Sequence, residues 1–170
     1  FRSRIQLLAE LDLPRAGVLW DLGAGTGSVG LEALRLQPVL QLYAVERRSG
    51  AVPLIQANAE RLAVQPAAVL QGDARSLLAE LPDPDRVLLG GGGAARAELL
   101  EALLPRLRAG GVVVIPLATL EAVAELRPVL EAHGLQVSLM QLQVSRGMPL
   151  AGGTRLAPLN PVVVLRGCRA

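Results

Sequence analysis

Three carboxylates and two runs of glycine are the residues of this chain whose types and spacing can do chemistry. Gly23, Gly25 and Gly27 alternate with Ala24 and Thr26 directly after the apolar stretch Val18 to Leu22, and a helical pattern follows from Ser28. Glycine lets a backbone approach a ligand closely and adopt positive φ without a steric penalty, while the first amides of a helix point N–H groups at whatever lies in front of them. Such a turn receives an anion. Asp21 precedes it, Glu46 closes the next apolar stretch, and Asp73 the one after, within Gly72-Asp73-Ala74. Carboxylates accept hydrogen bonds from hydroxyl and amino groups. A strand, a glycine turn and a helix flanked by such acceptors make a nucleotide-shaped site.

Two ligands fit that description. Gly25-Thr26-Gly27-Ser28-Val29-Gly30 matches the dinucleotide pattern G-x-G-x-x-G, and Glu46 stands roughly 20 residues on, as that fingerprint wants. The strand ends at Leu22, however, so the turn begins at Gly23, and the better match is G-x-G-x-G at Gly23, Gly25 and Gly27 with Asp21 before it. A carboxylate there repels a pyrophosphate and suits a ligand with an ammonium group. S-adenosylmethionine (SAM) carries one, along with a carboxylate that the loop amides can receive. Glu46 then accepts from both ribose hydroxyls. Asp73 accepts from the adenine amino group, and the N–H of Ala74 donates to a ring nitrogen. Two of the acids also have a plainer reading: Glu46 as a solvated acid at a strand end, Asp73 as an N-cap for the helix starting at Ala74, which is compatible with adenine binding. Together the three acids mark the carboxyl ends of the first three strands, the edge where open α/β sheets bind ligands.

The second glycine run, Gly90 to Gly93, follows the fourth apolar stretch and is placed to face the transferable methyl group. Amino-methylating enzymes of this kind often carry Asn or Asp before prolines here, and catechol-type enzymes carry metal-binding acids; neither is present. Gly91 and Gly92 therefore leave room for a bulky substrate that is already nucleophilic at carbon and needs little acid–base help. The plainer reading is a glycine turn before the helix at Ala94. His133 precedes Gly134 and is read as a partner of a helix C-terminus. Without a cluster of His and Cys there is no metal site, and Met140 and Met148 read as apolar fillers.

The elements that position these residues alternate along the whole length, the pattern of an α/β doubly wound sheet. Strands are expected near Val18 to Leu22, Leu40 to Val45, Ala68 to Gln71, Arg86 to Leu89, Val112 to Pro116, Gln136 to Gln143 and Val162 to Arg166. Helices are expected near Arg4 to Glu10, Ser28 to Leu36, Gly50 to Ala63, Ala74 to Glu80, Ala94 to Arg108 and Leu120 to His133. Ser145 to Pro161 is rich in Gly and Pro and reads as a functional loop, so its flanking strands pair antiparallel. The expected fold is α/β, the class I SAM-dependent methyltransferase (Rossmann-like) fold, with a seven-stranded mostly parallel sheet whose last strand is inserted antiparallel at the edge. A dinucleotide dehydrogenase would continue with another crossover helix.

Composition sets the class. With 170 residues, 51% of them hydrophobic, the chain 1–170 reads as one domain with ample material for a core. Every apolar run is interrupted well before the roughly 20 residues needed to span a bilayer. All 17 basic residues are Arg, scattered instead of clustered, the net charge is only +2, and Phe1, Trp20 and Tyr43 are the only aromatics, which disfavours nucleic acid. Cys168 is alone, so a cytoplasmic setting is expected. The chain opens on Phe1 instead of Met, which leaves open a domain cut from something longer.

Trp20-Asp21-Leu22-Gly23-Ala24-Gly25-Thr26-Gly27-Ser28-Val29, Ala44-Val45-Glu46-Arg47, Gly72-Asp73-Ala74, the Gly90 to Gly93 run, Ser145-Arg146-Gly147 and Asn160-Pro161-Val162 resemble, taken together, the decarboxylating precorrin C-15 methyltransferases of cobalamin biosynthesis. These occur alone or as the C-terminal half of a bifunctional C-5,15 enzyme. The resemblance covers nearly the whole chain, and the polyglycine with Ser-Arg-Gly and Asn-Pro-Val is its specific part. It implies SAM bound by Asp21, Gly23, Ala24, Gly25, Thr26, Gly27, Glu46, Arg47, Gly72, Asp73, Ala74 and Gly90. It implies methylation of a precorrin-6B-type tetrapyrrole at C-15 with loss of the ring C acetate carboxyl, the macrocycle serving as electron sink. Such substrates carry many carboxylates, which Arg146 first and Arg155 second are placed to bind; both also read as solvated loop arginines. A homotetramer is expected on the same ground. Family members also carry a segment before the first helix that closes over the cofactor, and here Phe1 to Arg4 match that helix start only loosely. The remaining alternatives are methylation of RNA, protein or a small metabolite, and a nucleotide-binding module without catalysis.

Overall fold

The computed structural model describes residues 2–91 and 93–170. In chain order the elements are α1 (Arg2–Leu11), β1 (Ala16–Leu22), α2 (Gly30–Leu36), β2 (Val39–Glu46), α3 (Ala51–Leu62), β3 (Ala68–Gln71), α4 (Ala74–Leu77), β4 (Arg86–Leu89), α5 (Arg96–Leu103), β5 (Val112–Leu117), α6 (Leu120–Ala132), β6 (Gln136–Leu142), β7 (Ser145–Leu150), β8 (Gly153–Pro158) and β9 (Val162–Cys168). Seven strands form one sheet in the order β3-β2-β1-β4-β5-β9-β6. β1 to β5 pair in parallel, and β9 runs antiparallel to both β5 and β6, so it is inserted at that edge with β6 outermost. The expected seven-stranded sheet with an antiparallel last strand is what forms.

Side chains alternate across a strand, and here both faces are apolar because helices cover both. Val18, Trp20 and Leu22 of β1 pack with Leu99, Leu100 and Leu103 of α5 on one face. Leu19 packs with Leu7, Leu31 and Ile55 on the other, under α1, α2 and α3. Asp21 shares the parity of Leu19, which decides its role below. Trp20 is fully buried, and its indole N–H donates to the Pro82 carbonyl at 3.0 Å. Among the described residues no helix is long and apolar enough to cross a membrane.

Three expectations need correction. The expected helix from Ser28 begins at Gly30, and the one from Ala94 to Arg108 is divided, with 3-10 turns at Gly93–Ala95 and Leu104–Arg106 on either side of α5. Pro105 has no N–H to continue an α-helical ladder, which suits the second turn. The expected loop from Ser145 to Pro161 is largely a hairpin, β7 paired with β8 as a separate two-stranded sheet, closed at Ala151 and Gly152, both with positive φ.

Candidate active site

The strand order turns outward from β1 to β2 on one side and to β4 on the other, and the carboxyl ends of these strands open into a cleft of about 370 Å³. That is the usual position and size of a small-molecule site in an open α/β sheet. Gly23 and Gly25 follow β1; Glu46, Arg47 and Arg48 lie at the end of β2; Gly72, Asp73 and Ala74 follow β3. Gly90, Gly91 and Gly93 follow β4, and Arg96 and Leu99 close the cleft from α5.

The glycine turn is anchored to β2. The N–H groups of Gly23 and Ala24 donate to the Val45 carbonyl at 2.8 and 3.0 Å, and Gly25 N–H donates to Glu46 Oε2 at 2.8 Å. These bonds require Gly23 and Gly25 at φ +79° and +61°, where a side chain is strained. Ala24, Thr26 and Gly27 do not line the cleft. Gly27 turns its backbone toward Ile55 and Leu31, and the Thr26 carbonyl accepts from Asn58.

Glu46 is buried with its carboxylate at the cleft wall. Its Oε1 accepts from the backbone N–H of Arg48 at 3.1 Å, with the Arg48 guanidinium 3.4 Å away. Burial raises the carboxyl, but the N–H donors of Arg48 and Gly25 and the Arg48 charge outweigh it and hold Glu46 below the ordinary range. An ionised carboxylate has about four lone-pair sites, so Glu46 can hold the turn and still accept from a ligand. Asp73 lines the cleft and also caps α4, accepting from Ser76 N–H at 3.2 Å. The N-cap reading is what the structure forms, and the side chain still borders the cleft.

Asp21 does not line the cleft, contrary to the expectation that it meets a ligand ammonium. Its parity puts it beneath α2, 2% exposed, where Oδ2 accepts from Gly30 N–H at 3.2 Å. A Cβ at Gly30 would lie 2.9 Å from that oxygen, so glycine is what lets the helix start sit on the carboxylate. The anion received by the first turn of α2 is therefore the protein's own. Burial, opposed by the Gly30 bond and reinforced by Glu46, pushes the Asp21 carboxyl up to about 7.

Gly90 and Gly91 both donate to the Leu22 carbonyl, at 2.9 and 3.1 Å, and Gly91 packs against Gly23. Glycine at 90 and 91 thus lets two backbones meet. Gly92, the other expected substrate contact, lies outside the described residues.

Residues 2–169 match the precorrin methyltransferase domain family. The chain belongs to this family. A relative from Pyrobaculum aerophilum, a probable cobalt-precorrin-6B C(15)-methyltransferase (decarboxylating), is 35% identical over 164 residues, 95% of this chain and 84% of that one. A precorrin-6Y C(5,15)-methyltransferase [decarboxylating] from Sinorhizobium sp is 35% identical over 151 residues, 88% of this chain and 36% of that longer protein. Among solved structures, the precorrin-6Y C5,15-methyltransferase of Geobacter metallireducens superposes with a TM-score of 0.90 at 30% identity, covering 99% of this chain and 88% of that one.

In this precorrin methyltransferase domain, Arg146 and Arg155 are exposed on the β7–β8 hairpin, opposite Ala157 and Met148, and neither lines the cleft. The reason is topological. The hairpin leaves the carboxyl end of β6, on the cleft's side of the sheet, but β5 and β9 stand between β6 and β4. His133 ends α6 as expected, with Nδ1 2.9 Å from the Val129 carbonyl oxygen. Sequence reasoning missed Arg48 and Arg96. Arg48 could have been suspected from its place after Glu46-Arg47, whereas nothing in the spacing separates Arg96 from the other helical arginines.

Proposed function

We propose that this chain is a decarboxylating precorrin C-15 methyltransferase, methylating a precorrin-6B-type tetrapyrrole in cobalamin biosynthesis. The observation that carries this reading is a single cleft with the acceptor Glu46 at its β2 end and a wall of glycine backbone at its β4 end. The name of the Pyrobaculum relative supplies the substrate.

The donor set fits SAM: Glu46 accepts from the ribose hydroxyls, Asp73 and the Ala74 N–H read the adenine, and the glycine turn lies against the amino-acid end. SAM supplies an electrophilic methyl group, its sulfur keeping the bonding pair. The substrate carbon is nucleophilic on its own, so Gly90 and Gly91 contribute space instead of a base. The acetate carbon–carboxylate bond breaks with its electron pair entering the conjugated macrocycle, and carbon dioxide leaves. Arg146 and Arg155, on the same side of the sheet, bind substrate carboxylates as charge-assisted partners.

We read 1–170 as one methyltransferase domain working in the cytoplasm as a homotetramer. An isolated two-stranded hairpin is marginally stable in water, and β7–β8 exposes Met148, Leu150 and Leu156. Contact with other copies would cover them. Incubation with precorrin-6B and methyl-labelled SAM, followed by mass spectrometry, is expected to show gain of a methyl group and loss of carbon dioxide. Neither change, in protein that binds S-adenosylhomocysteine, overturns the substrate, and tight NAD binding overturns the cofactor.

A further inference from the structure

Among the described residues lining the β4 end of the cleft, Arg96 carries the only charge. Its Nε donates to the Gly91 carbonyl at 2.8 Å, which holds the guanidinium against the glycine wall and leaves the donors of both terminal nitrogens. No acid among the described residues forms an ion pair with it, and the nearby Glu98 is taken by Arg75. Arg47 also lacks an acid partner but stands by Glu46, at the other end.

The helix that Arg96 opens follows directly on the 3-10 turn Gly93–Ala95. Its N-cap, Ala95, offers no side-chain acceptor, unlike Asp73 at α4 and Thr119 at α6 but like Gly50 at α3. The Arg96 guanidinium therefore stands at the β4 end of the cleft with no acid of the described residues paired to it. A planar, permanently charged fork suits a carboxylate.

We infer that Arg96 forms a subsite for a carboxylate of the substrate, one that the product retains. This rests on the tetrapyrrole reading above. An ion pair to the departing carboxylate would stabilise the charge that must be lost and oppose the reaction. A retained carboxylate can be gripped throughout, fixing the macrocycle's position against the glycine wall.

The test compares Arg96→Met and Arg96→Lys with the parent, in KM and kcat for precorrin-6B, in S-adenosylhomocysteine affinity, and in binding of the carboxylate-rich tetrapyrrole uroporphyrin I. Arg96→Met is expected to raise KM and weaken uroporphyrin binding about tenfold, as loss of one charge-assisted pair does. Cofactor affinity and kcat should stay within about twofold on that scale. Arg96→Lys keeps the charge but loses the fork, and should recover only part of the loss. Unchanged KM and uroporphyrin binding overturn the subsite. A fall in cofactor affinity parallel to the rise in KM also overturns it, making Arg96 a prop for the glycine wall. If the parent does not turn over precorrin-6B but binds uroporphyrin in an Arg96-dependent way, the substrate reading falls and the carboxylate subsite stands.

Discussion

Gly23 and Gly91 meet backbone to backbone: a Cβ placed on Gly23 would stand 2.5 Å from both the Cα and the amide nitrogen of Gly91. The contact joins the two glycine runs, and neither partner can yield, because both are main chain. Gly23→Ala is expected to destabilise the protein by about 2–4 kcal/mol, combining a left-handed backbone cost with overpacking. Gly93→Ala, at positive φ but with open space around it, should cost only about 1 kcal/mol. Thermal denaturation of the two variants checks this, and equal melting temperatures would show that the backbone contact is soft.

Asp21 gives the protein a pH dependence. Its folded carboxyl titrates at about 7, above the 3.8 of an unperturbed Asp, so the folded state holds a proton that the unfolded chain has released. The associated stability is fully present below about pH 4 and is lost as the pH rises through about 7, a change of up to roughly 4 kcal/mol. Asp21→Asn keeps an acceptor for Gly30 N–H and removes the titration. Its melting temperature relative to the parent should therefore rise between pH 5 and 8, and parallel curves would contradict this.

Glu46 serves the turn and the ligand together. Glu46→Ala removes the acceptor for Gly25 N–H as well as the ribose acceptor, and should weaken S-adenosylhomocysteine binding by about 1–3 kcal/mol. Isothermal calorimetry measures it. Unchanged affinity would place the ribose elsewhere.

Arg146 lies outside the cleft on an exposed hairpin, so its loss should leave the cofactor untouched. Arg146→Ala is expected to raise KM for the tetrapyrrole without altering S-adenosylhomocysteine affinity. A drop in both would mean that the hairpin shapes the cofactor cleft.

The hairpin's apolar side chains give an independent test of assembly. Leu156 is 74% exposed, so a charge there costs the isolated chain little. Leu156→Glu should lower the mass seen by sedimentation while leaving the melting temperature of the separated subunit near that of the parent. An unchanged mass would place the interface elsewhere.

How much of this was legible in the sequence varied with the kind of signal. The glycine turn, Glu46 and Asp73 could be read because a strand, turn and helix fix where their backbones go. Asp21 was weighed by its type and not by its parity: it alternates in step with Leu19 and so lies under α2, off the cleft lining. The hairpin was hidden by Pro149, Pro158 and its glycines, which read as loop although an exposed two-stranded ribbon tolerates them. Arg96 was invisible because its significance comes from the Gly91 carbonyl and its place at the β4 end of the cleft, both tertiary facts.

The insertion of β9 between β5 and β6 sets the order in which the molecule can be built. β6 has no other partner in the sheet, so it cannot join until residues 162–168 have left the ribosome. Arg166 of that strand also donates to the carbonyl of Glu10, tying the first helix to the last strand. Bringing together pieces so far apart in the chain is slow. The β1-to-β5 part of the sheet can assemble during synthesis, while the side of the sheet that carries the hairpin must wait for β9 to emerge, leaving β6 a transiently bare edge for a chaperone, or a neighbouring chain, to meet first.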